Sequence, residues 1–258
     1  MSRTAQRIVL PLLGAMVITV ALEWLLGTLL VPDHFFPRPS VVFEEITINF
    51  GHFLPHIGLT FGEAAIGFVV GNIAAFVFAI LFSQLRIFRQ TFYPLVIAFQ
   101  AVPILAIAPF VAIWFGTDLL GKAIVAAIIC YFPATVILTN ALTELNRDAH
   151  RFLLSLGASR AEILRYLAIP SAVPAVFSAV QVSSVLCVVG ALVAEFSGSD
   201  FGAGYLILKA SAEYQTKTLF AILALVSMVT FAIYFLVGAV GTKVTKTLGF
   251  KYTTSQSL

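Results

Sequence analysis

Charge is scarce in this chain. Only 10% of its 258 residues are Asp, Glu, Lys or Arg, against roughly 25% in ordinary water-soluble domains, so it has too little polar surface to cover itself in water. Its 15 bases and 12 acids leave a net charge of +3. The bases are dispersed through short connectors, which excludes the basic stripe of a nucleic-acid binder. Cysteine is nearly absent: Cys130 and Cys187 both fall in apolar runs, without disulfide or metal-site spacing, and read as small packing residues. His34, His52, His56 and His150 share no ligand spacing, so no metal site is expected.

What the chain has instead is apolar length. Hydrophobic residues make up 60% of it, the mean hydropathy is +1.02, and a membrane span needs about 20 such residues in a row. Six long apolar segments stand out, at 8–31, 61–83, 91–116, 122–143, 172–195 and 218–241. Within a bilayer every backbone polar group must be paired inside the protein, and these runs are far too long for barrel strands. The expected fold is therefore all-α, a polytopic membrane protein of six transmembrane helices in one domain over 1–258, with no room for a separate soluble domain. The first segment follows Arg3 and Arg7 like a signal peptide, but it is long and lacks a small-x-small cleavage site. It is read as an uncleaved span.

Basic residues set the expected orientation. Arg3, Arg7, Arg86, Arg89, Arg147, Arg151, Arg160, Arg165, Lys243, Lys246 and Lys251 fall on one side; Arg38, Lys122, Lys209 and Lys217 fall on the other. The positive-inside rule then places both termini, and the connectors 84–90 and 144–171, in the cytoplasm.

The connector between the fourth and fifth segments carries the most information. It mixes charge with Phe152, Leu153, Leu156, Ile163, Leu164 and Leu167 at helical spacing, which predicts an amphipathic element outside the bilayer. Its apolar side needs a cover, either the ends of its own spans or the groove of another protein. Gly157 tolerates a positive φ and Pro170 begins a helix without continuing the one before it, so a helix–turn–helix wedge is expected.

Several short motifs stand in fixed order. Leu156-Gly157-Ala158-Ser159 is followed, nine residues after Gly157, by Leu167-Ala168-Ile169-Pro170. Upstream come Ala101-Val102-Pro103, Ala108-Pro109-Phe110, Ile113-Trp114-Phe115-Gly116 and Phe132-Pro133; downstream come Val193-Ala194-Glu195-Phe196 and Gly202-Ala203-Gly204-Tyr205-Leu206-Ile207. The order resembles the permease subunits of bacterial ABC importers, whose cytoplasmic signature reads Glu-Ala-Ala, three residues, Gly, nine residues, Ile-x-Leu-Pro. The likeness covers about 57–241 and is similar to the nitrate, sulfonate and taurine branch, which also includes carriers of pyrimidine precursors and riboflavin. It implies a type I importer (MetI-like) permease fold with a cytoplasmic coupling segment at about 144–171.

The resemblance implies a transport subunit and not an enzyme. It would work in the inner membrane as a homodimer, with two ABC ATPase subunits that carry ATP and Mg and a periplasmic or lipid-anchored solute-binding protein. ATPase coupling would involve Arg151, Phe152, Leu153, Ser155, Leu156, Gly157, Ala158, Ser159, Leu164 and Pro170. Arg151-Phe152-Leu153 stands where the family has Glu-Ala-Ala, so the acidic contact does not carry over. The cargo would be a small solute, a sulfonate- or nitrate-like anion or a vitamin precursor, moved by alternating access. An ion-gradient-driven secondary transporter is the rival reading, but no internal repeat or midplane acid supports it.

Polar residues within the apolar segments are candidates for the solute pathway: Gln100 and Pro103 in the third segment, beside Pro94, Pro109 and Trp114, and Gln181, Ser183 and Ser184 in the fifth. Glu195 joins them as an ionisable group near the membrane, with capping of the Ser197-Gly198-Ser199 turn as its alternative. Glu23 and Glu63 would sit at polar boundaries or face the bundle interior. Gly116-Thr117-Asp118-Leu119-Leu120-Gly121-Lys122-Ala123 nearly matches a P-loop, but Ala123 lacks the hydroxyl that binds magnesium and no strand is predicted before it. No nucleotide site is therefore expected on this chain. Gly67-Phe68-Val69-Val70-Gly71 would let another helix approach closely, from this chain or from a second copy. The 24 Phe read chiefly as lipid-facing bulk.

Overall fold

A computed structural model describes residues 3–29, 32 and 35–249, with side chains from residue 13 onward except Ala15. His34, Lys251 and the side chains of Arg3 and Arg7 lie outside the described residues. No strand occurs among the described residues. The helices are α1 (Arg3–Thr28), α2 (Pro39–Gln84), α3 (Arg86–Phe99), α4 (Ile104–Phe115), α5 (Leu119–Thr143), α6 (Arg147–Ser155), α7 (Arg160–Ile163), α8 (Ile169–Glu195), α9 (Ala203–Ala212) and α10 (Thr216–Thr247). A π-helical turn, Leu164–Ala168, joins α7 to α8.

The core is a three-helix sandwich with α5 at its centre. One face of α5 presents Ala123, Ala126, Ala127 and Cys130 to α2, which answers with Gly67 and Gly71. A Cβ on Gly67 would lie 2.5 Å from the Ala126 Cβ and 2.8 Å from the Ala123 carbonyl oxygen. On the α8 side, a Cβ on Gly190 would lie 2.6 Å from the Ala126 Cα. The small-xxx-small pattern thus serves packing within the chain. Lipid is as apolar as Leu, so helix association in a membrane depends on this kind of close backbone contact.

Three apolar clusters share the bundle. One gathers Phe53, Ile57, Ala126, Val188 and Ile222, another Ala75, Ala79, Leu138, Leu142 and Ala172, and the third Ala108, Val111, Val125 and Val193. Outward lie Val69, Ile73, Phe231 and Leu236, each more than half exposed and suited to lipid. Helix α1 is peripheral: Met16, Val17 and Trp24 are exposed, and Glu23 accepts hydrogen bonds from the amide (2.9 Å) and hydroxyl (2.7 Å) of Ser40 at the start of α2. Glu23 therefore occupies the polar boundary.

Against the six spans expected, the described residues hold four helical stretches long and apolar enough to cross a membrane (Pro39–Gln84, Leu119–Thr143, Arg160–Glu195 and Thr216–Thr247), or five if the bent pair of α3 and α4, whose axes meet at 104°, is one span. Within α1 the apolar stretch is the shorter Met16–Thr28. Two boundaries are corrected. Helix α2 begins at Pro39, not at 61, and its 46 residues extend about 69 Å at 1.5 Å per residue, roughly twice the hydrocarbon thickness. The third segment is not one helix but two, broken over Gln100–Pro103.

A matched pair of substitutions on α2 tests the sandwich. Gly62→Ala enters open space and should hold or raise the melting temperature, because Ala favours the helix. Gly67→Ala should lower it, by about 1–3 kcal/mol of overpacking. Thermal melts of the detergent-purified protein read both, and equal melting temperatures would contradict the packing described.

Candidate functional site

The two ends of the bundle differ in chemistry. At one end lie the last turns of α2 and α5, the start of α3, and α6–α7. Helix α6 opens at Asn146, whose side-chain oxygen accepts from the amides of Asp148 (3.0 Å) and Ala149 (3.1 Å). It closes on Gly157, at φ +78°, with the Ala158 amide donating back to the Leu153 carbonyl at 3.0 Å. That left-handed turn is open to glycine at little cost. Ser159 then caps α7: its amide donates to the Glu162 carboxylate at 2.7 Å, and the Glu162 amide donates to its hydroxyl at 3.3 Å, a reciprocal capping box.

The expected wedge is corrected in its second half. Pro170 does not begin a separate helix; α7, the π turn and α8 run on as one helical stretch, Arg160–Glu195. Proline supplies no amide and its ring crowds the carbonyl four residues back. The backbone accommodates this by widening the turn just before it, with the Ile169 amide reaching the Leu164 carbonyl five residues back. The element is thus one short helix, a glycine turn and a rod that becomes a membrane span.

The apolar side of this element divides in two. Ile163 is buried and Leu153, Leu164 and Leu167 are partly covered by their own chain, as are Ala158 and Pro170. Phe152 is 63% exposed and Leu156 67% exposed. Arg151, Ser155, Gly157 and Ser159 are exposed beside them. Cover by the chain's own spans therefore accounts for α7 but leaves the outer edge of α6 bare.

The bent pair follows α5 from end to end. The Tyr93 hydroxyl donates to Asn140 near the α5 C-terminus at 3.0 Å, Phe99 stacks on Phe132 at mid-helix (5.4 Å, 5° between planes), and Ala108 and Val111 pack with Val125 near its start. It is thus a broken crossing and not a loop that returns to its own side. The break falls at half height, where Gln100, Ala101, Val102 and Pro103 are all exposed. Non-helical backbone at that depth is tolerated only against protein or a water-filled cavity. Pro94 and Pro109 lie inside α3 and α4, so Pro103 alone marks the break.

The other pathway candidates are placed differently. Gln181 is buried and donates to the Tyr234 carbonyl at 3.3 Å; Ser184 is buried and donates to the Gln181 carbonyl at 2.7 Å. Ser183 is buried with its hydroxyl unpartnered among the described residues. None of the three lies beside Gln100 and Pro103.

Glu195 is 1% exposed at the opposite end of the bundle. It does not cap the Ser197-Gly198-Ser199 turn with its side chain. Instead Thr60 of α2 donates to one carboxylate oxygen at 2.7 Å, and the Gly204 amide at the start of α9 donates to the other. Thr60 in turn accepts from the Ala203 amide at 2.8 Å, and His56 Nδ1 accepts from the Gly202 amide at 3.1 Å. The first amides of α9, which no helix bond would satisfy, are thus paired with α2 and α8. Beside them Lys122 donates to the Glu63 carboxylate at 2.9 Å, with both side chains buried. The second Glu63 oxygen has no partner among the described residues. Lys122, read from sequence as a connector charge, is therefore a buried partner, and Gly116–Ala123 is preceded by α4. The sequence signal for this pair was an acid and a lysine each at the edge of an apolar segment, which points to mutual neutralisation.

Breaking that pair from one side has a defined consequence. Lys122→Met leaves the Glu63 carboxylate buried and uncompensated, and should cost about 3–5 kcal/mol. Adding Glu63→Gln should recover most of that loss. Melting temperatures of the single and double variants check this; a single variant as stable as the parent would contradict it.

Residues 67–246 match the family described as "Binding-protein-dependent transport system inner membrane component". The chain is 31% identical to the riboflavin transport system permease protein RibX of Chloroflexus aurantiacus, over 92% of this chain and 90% of that one. It is 28% identical to a probable ABC transporter permease protein of Haemophilus influenzae, over 79% and 83%. With the formylaminopyrimidine transport permease protein ThiX of Halalkalibacterium halodurans it shares 27% identity, over 76% and 80%. Among solved structures, an inward-facing MetNI methionine ABC transporter chain superposes with a TM-score of 0.53 at 18% identity, over 74% of this chain and 91% of that one, a likeness of fold. A multi-pass helical bundle, matched by the family over most of its length, follows from these observations together: the chain belongs to the binding-protein-dependent transport system inner membrane components.

Proposed function

We propose that two copies of this chain form the membrane-spanning pathway of an ATP-driven importer, and that α6 with its glycine turn docks on a cytoplasmic ATPase, one per copy. The observation that carries this reading is the bare edge of α6. Phe152 and Leu156 are exposed on an element that leads, through one glycine, into a continuous helical rod. A partner groove that receives them would transmit its own motion directly to α8. Arg151 is exposed there with the coupling residues, so contact with the ATPase would rest on apolar burial and on a basic group in place of an acid. ATP and Mg belong to that partner, and this chain binds neither.

The excess of basic residues at the α6 end supports a cytoplasmic placement for it and for both termini. The pathway would run along the broken crossing, where Gln100 and Pro103 need water or a second copy against them. A solute-binding protein would deliver cargo at the Glu195 end. For the cargo we favour a flat heteroaromatic vitamin or precursor over a sulfonate or nitrate, on the relative named for riboflavin and the one named for formylaminopyrimidine. Phe99, half exposed and stacked on Phe132 beside Gln100, offers a ring face with an amide edge, which suits such a solute.

Co-purification tests the docking. The chain expressed with its ATPase should yield a stable complex, and Leu156→Glu should release the ATPase while leaving the stability of the isolated chain within about 0.5 kcal/mol of the parent. A complex that survives the substitution, or uptake of solute without ATP, would overturn the reading. In vesicles that carry the whole system, ATP-dependent accumulation of riboflavin should exceed that of taurine; the reverse would move the cargo to the sulfonates.

A further inference from the structure

The α6 end holds a second feature, beside the coupling segment and sharing Leu164 with it. Between the α2–α3 elbow and α7 lies a cleft of about 410 Å³ with Arg86, Arg89, Arg160 and His150 in its wall, over a floor that includes Phe82, Leu142 and Ile163. None of the three arginines has a carboxylate at ion-pair distance among the described residues. The carboxylate of Glu162 is committed to the capping box with Ser159, and Glu144 lies in the wall of an adjoining cleft.

Two of these arginines stand where helix electrostatics disfavour them. Arg86 and Arg89 occupy the first turn of α3, which has no acidic residue and no side-chain cap. The helix dipole already concentrates positive charge there, and the first amides of a helix need acceptors. An anion would relieve both conditions at once. Arg89 is also held in place: its guanidinium lies 5.5 Å from the Tyr93 ring centroid, and Tyr93 is itself fixed to Asn140.

We propose that this cleft is an anion site which receives the phosphate of an anionic lipid headgroup, joining the α2–α3 elbow to α7. The apolar floor and basic wall match the two halves of such a lipid, and exposed Leu85, Ile87 and Phe92 flank it where acyl chains would lie. Basic pockets between spans at the cytoplasmic leaflet are suited to anionic headgroups. The choice of leaflet rests on the orientation proposed above; the anion chemistry does not.

Native mass spectrometry of the full chain in detergent, with phosphatidylglycerol or phosphatidylcholine added, tests the site without reference to sidedness. Phosphatidylglycerol should be retained preferentially, and Arg86→Gln with Arg89→Gln should weaken its binding by roughly tenfold or more, with a melting temperature without lipid equal to or above the parent's. Equal retention of the two lipids, or equal binding by parent and variant, would overturn the proposal. Inorganic phosphate alone is the second arm: stabilisation by phosphate that the double variant abolishes would keep the anion site but assign it to a soluble phosphate. Release of the ATPase by the double variant with lipid retention intact would assign the arginines to an acidic protein partner and sink the lipid site. Leu156→Glu, which tests docking, should leave lipid retention untouched.

Discussion

The structure depends on how closely three helices approach one another. With Gly67 and Gly71 on one side of α5 and Gly190 on the other, the backbones of α2, α5 and α8 meet against Ala123, Ala126, Ala127, Cys130 and the tip of Ile129. In lipid no hydrophobic gain drives this, so the contact has to come from dispersion at short range. The Lys122–Glu63 pair closes this seam at one end, and the α6–α7 element leads into it at the other through α8.

The same seam explains why α5 stays one continuous helix in spite of Pro133 while the crossing before it is broken. Helix α5 is held on two faces, by α2 and α8, whereas α3 and α4 each pack on it from one side only. Pro103 cannot donate a helical hydrogen bond, and an unsupported helix gives way there. The i to i−3 bonds of Gln100, Ala101 and Val102 satisfy part of the exposed backbone; the rest is left open at half height.

The long apolar runs were legible in the sequence because the bilayer demands a fixed length of nonpolar helix, and the segments that became α5, α8 and α10 were located on that ground. The extension of α2 back to Pro39 was not. Outside the hydrocarbon a helix needs no apolar run, and His52, Pro55 and His56 disguised the continuation. The Gly157 turn was readable, since few residues accept its backbone angles. The fate of Pro170 was not, because a single proline is compatible with a new helix or with one widened turn, and packing of Ala168 and Ala172 in the core chose the latter. Glu195 was singled out as an ionisable group near the membrane, but its burial and its partners, Thr60 and Gly204, 135 residues upstream and 9 downstream, were not legible. No local pattern announces such pairings.

The unbroken stretch from Arg160 to Glu195 has a mechanical consequence. Its 36 residues make a rod of about 54 Å, so a swing of about 10° pivoting near Arg160 carries the far tip by roughly 9 Å. That tip is Glu195, bonded to Thr60 of α2 and to the Gly204 amide of α9. A displacement so large exceeds the reach of those bonds, so α2 and α9 must travel with the rod or let go of it.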